Sequence, residues 1–275
     1  MHRKTIDELT LMDDYMFAQV MRDADRLKPL LQEVLKIPIR AIRLIEPQKS
    51  EKEGYESRGV RLDLFAEDEA DTIYSVDVQT SDKKNLPRRM RYYQSVMDIH
   101  VLHPGVNYKD LRKAYVIFLC NYDPFRLDRC VYSFENVCRE DGVTRFEDGA
   151  YKVVVNITGN TDQISDGLAE VVRYLDQGTV SGNYSRSLDD AVKAVKANEE
   201  RRLEYMTMAV HDMEIREEGR EEGLEQGLEQ GLEQGENKLA ALLACLKATG
   251  RTEDLFRALD DPEFRGKLYK EFDFA

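Results

Sequence analysis

Two aspartates and a glutamine stand where paired strands could bring them together. Val60 to Glu67 and Ile73 to Thr80 read as short strands joined by the acidic turn Asp68-Glu69-Ala70-Asp71. Side chains at i and i+2 of a strand share a face, so Asp77 and Gln79 point one way while Val76 and Val78 point into a core. Antiparallel pairing of the two runs sets Asp63 near Val76 and Asp77. Converging carboxylates repel without a cation, and Mg²⁺ is held by a few carboxylate and carbonyl oxygens together with water and phosphate. An ordinary amphipathic hairpin with two solvated aspartates has the same alternation, and spacing alone favours it. The neighbouring residues shift the balance. Between Lys83 and Lys113 stand eight bases (Lys83, Lys84, Arg88, Arg89, Arg91, Lys109, Arg112 and Lys113) against Asp98 and Asp110, with Tyr92, Tyr93 and Gln94 interleaved. Acids to hold a metal beside bases to hold a phosphate backbone is an arrangement suited to phosphodiester hydrolysis.

The flanking chain must supply the elements that position these residues. From Asp13 to about Leu35, apolar residues recur at helical spacing, with Pro29 dividing the run or starting a second helix. A polar, Gly-containing stretch follows from Gln48 to Arg58. Pro87 precedes a helix over Arg88 to about Val101 carrying Met90, Tyr93, Met97 and Val101 on one face, and Gly105 ends it. Ala114–Asn121, Cys130–Val137 and Tyr151–Ile157 are further β-rich runs, and the first is apolar enough for a central strand covered on both faces. At least five strands result. Helical periodicity takes over from Ile164 to Leu175 and again from Ser187, where Ser187-Leu188-Asp189-Asp190 resembles a capping box. The tetrapeptide GLEQ recurs at Gly223, Gly227 and Gly231 within a glycine period of four running from Gly219 to Gly235. Four residues advance a helix by about 400°, so the repeat winds around the axis and builds no fixed apolar face. A semi-flexible acidic helical spacer and a self-association seam both fit it. Lys238 to Leu259 reads as a terminal helical module.

With 275 residues, 42% of them hydrophobic, the composition is globular. No apolar run approaches the roughly 20 residues of a spanning helix, and the start MHRKTIDELT has no apolar signal region. Cys120, Cys130, Cys138 and Cys245 are too sparse for a disulfide framework, so a reducing cytoplasm is expected. The net charge of −13 argues against indiscriminate nucleic-acid binding, yet it is unevenly spread: Glu214 to Glu236 holds nine glutamates against two arginines. His100 and His103 could share a helical face but lack a completing ligand set, and Cys120 reads as core. No Walker loop, strand-anchored GxGxxG or GxSxG is present.

The ordered set DDYMFAQVM, RLDLFAED, VDVQT, RRMRYYQS and GVNYKDLRKAYVIFLCNYDPF, with the glycine tetrapeptides behind it, resembles the Rpn family of recombination-promoting nucleases, also described as PD-(D/E)XK nuclease family transposases. The similarity runs through most of residues 5 to 236. It implies an α/β, restriction-endonuclease-like PD-(D/E)XK core, a mixed sheet flanked by helices, with a helical C-terminal extension. It also implies a catalytic set of Asp63, Asp77 and Gln79, with Asp63 and Asp77 as metal ligands and Gln79 where Lys is usual. Gln79 carries no charge, so it could orient water or a phosphate oxygen but could not act as a cation. Asp77 is one methylene shorter than the more usual Glu. Glu33 is a helical candidate for a further ligand, with Asp14 as an alternative.

The expected chemistry is Mg²⁺-dependent hydrolysis, with Mn²⁺ as the alternative metal. Asp63, Asp77 and the Val78 carbonyl hold the ion, while Lys83, Lys84, Arg88, Arg89, Arg91 and Tyr92 position DNA with little sequence specificity. The expected organisation is a nuclease-like domain over residues 1–160, helical segments over 161–218, the acidic repeat over 219–236 and a small helical module over 237–275. A homodimer would suit double-strand cleavage, in recombination or in defence against foreign DNA. Two other readings use the same residues: a DNA-binding protein that does not cut, and a regulated oligomer whose acidic C-terminal region occludes the basic groove.

Overall fold

The computed structural model describes residues 4–51, 60–102, 105 and 107–274. The chain divides into compact units over residues 1–205 and 206–275.

The first unit is built on a six-stranded mixed sheet of β1 (Ile42–Glu51), β2 (Val60–Asp68), β3 (Ile73–Gln79), β4 (Ala114–Cys120), β5 (Val131–Phe134) and β6 (Ala150–Asn156), in the spatial order β1-β2-β3-β4-β6-β5. β1, β2 and β3 form an antiparallel meander, β3, β4 and β6 run parallel, and β5 returns antiparallel to β6. β4 lies at the centre and is buried along nearly its whole length, as its unbroken apolar run requires.

The polar, Gly-containing stretch read from Gln48 to Arg58 begins inside a strand. Gln48–Glu51 extend β1, which pairs with β2 from Ile42↔Asp68 to Glu51↔Val60. Residues 52–59, the rest of that stretch, lie outside the described residues, as does His103. Pro47 has no N–H to give, a loss tolerated because β1 is the outermost strand.

Helices α1 (Asp14–Met21) and α2 (Ala24–Leu35) precede the sheet. The chain breaks between them at Arg22 and Asp23 rather than at Pro29, which sits inside α2. Asp23 makes that break, its carboxylate accepting the Asp25 N–H at 2.9 Å as an N-cap. α3 (Leu86–Val101) connects β3 to its parallel neighbour β4. Its Leu86, Met90, Tyr93, Val96 and Met97 pack with Phe65, Val116 and Phe118 in one core cluster. Further on, α4 (Asp166–Gln177) packs against α2, and α5 (Asn183–Ala197) packs against α1 and α4. α5 begins four residues before the expected Ser187 start, because the buried Ser185 hydroxyl accepts the N–H groups of Ser181 and Gly182, each at 3.0 Å.

α6 runs for 50 residues, Glu199–Ala248, and carries every GLEQ copy. Its first turns belong to the first unit, where the Tyr15 hydroxyl donates to the Arg201 carbonyl at 2.9 Å and the Tyr205 hydroxyl to that of Lys4 at 2.9 Å. In the second unit, Leu224, Leu228 and Leu232 of the repeat are exposed, and a Cβ built on any of the five glycines meets nothing within 4 Å. The terminal helices share a small core of their own. Leu242 and Leu246 of α6 pack with Ala258 of α7 (Thr252–Asp260) and Leu268 of α8 (Pro262–Glu271), and Arg251 pairs with Asp254 and Glu271 at 2.6 Å each.

A carboxylate pair and a half-buried guanidinium at the ends of β2 and β3

The β2–β3 ladder ends with Leu64 opposite Val76, so the next residues across it are Asp63 and Asp77. Strand alternation therefore does place the two carboxylates side by side, at the edge of a cleft of about 340 Å³. Asp63 Oδ2 accepts the Val78 N–H at 2.9 Å and so prolongs the ladder by one side-chain bond. Asp77 is 1% exposed, and its Oδ2 accepts the Ser75 hydroxyl at 3.0 Å. Burial, and then the charge of Asp63, push the Asp77 carboxyl well above the usual carboxylate range, against the opposing pull of Ser75 and Arg89.

Gln79, one pleat beyond Asp77 and buried, shares the same cleft, as do Val78, Lys83 and Arg89. Arg89 projects from the first turn of α3. One guanidinium nitrogen donates to Gln79 Oε1 and the other to the Tyr93 hydroxyl at 2.9 Å. The guanidinium carbon lies 5.4 Å from the ring centroids of both Tyr93 and Phe118, and those rings meet edge-to-face at 5.3 Å. Burial lowers Arg89's affinity for its proton, but the Tyr93 hydroxyl and the charges of Asp77 and Asp63 more than offset that. Tyr93 is itself pushed up to about 12, first by burial and then by Asp77.

Two expected groupings divide. Glu33 is corrected: its carboxylate accepts the Ser165 hydroxyl at 2.6 Å and pairs with Lys36 at 2.9 Å, tying α2 to the start of α4, and these partners hold it below the usual carboxylate range. Two acids at the start of α1 line the cleft: Asp14, the alternative, and the preceding N-cap residue Asp13, whose carboxylate accepts from Lys4 at 2.7 Å. Of the six expected DNA contacts, Lys83 and Arg89 line the cleft, whereas Lys84 pairs with Asp82. Arg88 and Tyr92 are exposed on α3, and Arg91 lines a separate, more apolar cavity of about 440 Å³ with Met90, Phe125, Phe134 and Lys152. Sequence reasoning did not find Tyr93's grip on Arg89 or Ser75's on Asp77. Both were open to simple spacing rules, i to i+4 on a helix and i to i+2 on a strand.

The pair fits a divalent cation. A buried carboxylate facing a second one is a concentration of negative charge that a cation would balance, and Mg²⁺ commonly takes only one or two protein carboxylates, filling its octahedron with water and phosphate. Among the described residues, no three or more His, Cys, Asp or Glu side chains converge as a self-sufficient metal cluster.

Residues 11–139, from α1 through β5, match the model of the PD-(D/E)XK nuclease family transposases. Over that segment the chain is similar to the PD-(D/E)XK nuclease family transposases. The mixed sheet with helices on its flanks is accordingly a restriction-endonuclease-like α/β fold, and the carboxylate pair lies inside the matched segment. No curated protein and no solved structure matches the chain. Among the described residues, no helix is long and apolar enough to cross a membrane.

Proposed function

We propose that the PD-(D/E)XK domain is a metal-dependent DNA endonuclease with little sequence specificity, using Mg²⁺ or, alternatively, Mn²⁺. The observation that carries this reading is the convergence of Asp63 and Asp77 in a cleft that also holds Gln79, Lys83 and Arg89. Asp63, Asp77 and the Val78 carbonyl are the groups that would hold the ion. Once bound, it would polarise the scissile phosphate and lower the pKa of the attacking water. Gln79 orients that water or a phosphate oxygen through its amide. Lys83 attracts the backbone at the cleft, while Arg88, Arg91 and Tyr92 on α3 guide flanking phosphates, contacts that carry charge but no base identity. A dimer would pair two such sites for double-strand cleavage, and recombination or defence against foreign DNA are roles that would use it.

A DNA-binding protein that does not cut is the second reading, favoured by the lack of a three-ligand cluster among the described residues. Plasmid nicking by wild type, Asp63→Ala and Asp77→Ala in Mg²⁺, Mn²⁺ or EDTA separates the two. Metal-dependent cutting that vanishes in both variants supports the nuclease. Salt-sensitive binding without cutting supports the second reading, and cutting that survives both substitutions removes the carboxylate pair from the mechanism.

A further inference from the structure

The cleft contains a positive charge that its strand motif does not supply. Gln79 is neutral, so nothing on β3 itself can offset negative charge growing on a phosphate. Arg89 reaches the same place from α3, and it is held there in a manner unlike its neighbours. Arg88 and Arg91 are exposed, whereas Arg89 rests against the rings of both Tyr93 and Phe118 with two of its five N–H donors committed, one to Gln79 and one to Tyr93. A side chain that merely rides along a DNA backbone gains nothing from such fixation. A cation that must stabilise charge as it develops gains a great deal, because preorganised groups need no rearrangement during the reaction. The three remaining donors also suit a guanidinium to two phosphate oxygens at once.

We infer that Arg89 is the catalytic cation of this site: Gln79 docks its guanidinium, which then contacts the reacting phosphate beside the Asp63–Asp77 pair. Strand and helix thus divide a task, Gln79 supplying the position and Arg89 the charge. This assignment rests on the nuclease reading above.

The test compares Arg89→Met, Arg89→Lys and the double variant Gln79→Lys/Arg89→Met with wild type. Single-turnover cleavage is followed in Mg²⁺, DNA affinity is measured in Ca²⁺, and thermal unfolding is recorded for each protein. For Arg89→Met the expected result is a loss of roughly 100-fold or more in rate at saturating DNA. Its affinity should stay within about threefold of wild type, since a single phosphate contact among many is removed. Gln79→Lys should recover at least about tenfold of that rate by returning a charge to the strand. If Arg89→Met instead weakens binding and cuts at the full rate once saturated, Arg89 is a binding contact and the assignment is wrong. It is equally wrong if rate and melting temperature fall together and neither Lys-bearing variant restores cutting, which would make Arg89 a structural tie between α3 and β3. A wild-type protein that binds DNA but fails to cut it in Mg²⁺, in Mn²⁺ or in any other divalent metal overturns the nuclease reading and this inference together. A fully active Arg89→Met beside an active wild type overturns this inference alone.

Discussion

Asp63 and Asp77 share a cleft but do different work for the fold, so their substitutions should separate. Asp63 accepts the Val78 N–H, and removing that acceptor by Asp63→Ala leaves a nearly buried donor unmatched, a loss of about 1 kcal/mol. Asp77 is a buried carboxylate facing another negative charge, and Asp77→Asn removes that repulsion while keeping an oxygen for Ser75. Melting in EDTA should therefore show Asp63→Ala below wild type and Asp77→Asn at or above it, although both abolish cutting. A lowered midpoint for Asp77→Asn would mean that its charge is already balanced without metal. Mg²⁺ should raise the melting temperature of wild type and of neither variant, because an ion bound only by the folded state stabilises it. At this scale the strand residues were legible and the helical ones less so. The two-residue period puts Asp77 and Gln79 on one face, and antiparallel pairing across the short turn sets Asp63 beside them. Glu33 was misplaced because a charged residue on an amphipathic helix carries no mark of which neighbour it meets, and Ser165 is 132 positions away in the chain.

Local hydrogen bonds, more than apolar periodicity, decide where the elements begin and end. Ser185 fixes the first turn of α5 by accepting from two backbone N–H groups, so Ser185→Ala should lower stability by about 1 kcal/mol in chemical denaturation. An unchanged midpoint would show that water or another side chain replaces the hydroxyl. Gly159, just past β6, sits against the backbone of Arg129, where an added Cβ would lie 2.6 Å from the carbonyl oxygen. That contact cannot be relieved by turning a side chain, and Gly159→Ala should destabilise by roughly 1–3 kcal/mol, read by the same titration. β4 and β6 were legible from dense apolar runs, and β2 and β3 from two-residue alternation around an acidic turn. β1 was not, since its IRLIEPQKSE sequence combines a proline with a polar end that only an outermost position allows. The start of α5 was missed for a related reason: Asn183-Tyr184 has no apolar stripe, and the cap that starts the helix lies inside it.

The whole molecule is acidic, yet residues 83–113 hold eight bases against two acids, so net charge and local potential point in opposite directions there. DNA affinity should fall steeply and linearly on a logarithmic salt scale, and a flat response would exclude the basic segment as the binding surface. The glycine repeat offers a contrasting case. Its glycines touch nothing, so replacing Gly219, Gly223, Gly227, Gly231 and Gly235 by Ala should add about 1 kcal/mol of helix stability at each position. Circular dichroism should show a later melt for the helix, with plasmid cutting unchanged; a loss of cutting would mean the glycines serve a contact made outside the isolated chain. The bond from Val78 to Asp63 also bears on how this protein's descendants would look. A lineage released from the need to cut DNA would still be under selection to close the β2–β3 ladder, and an acceptor would persist at position 63. Position 77 carries no such obligation and would drift first, so among inactive copies the lost aspartate should be Asp77 while Asp63, or an Asn in its place, survives as a fossil of the active site.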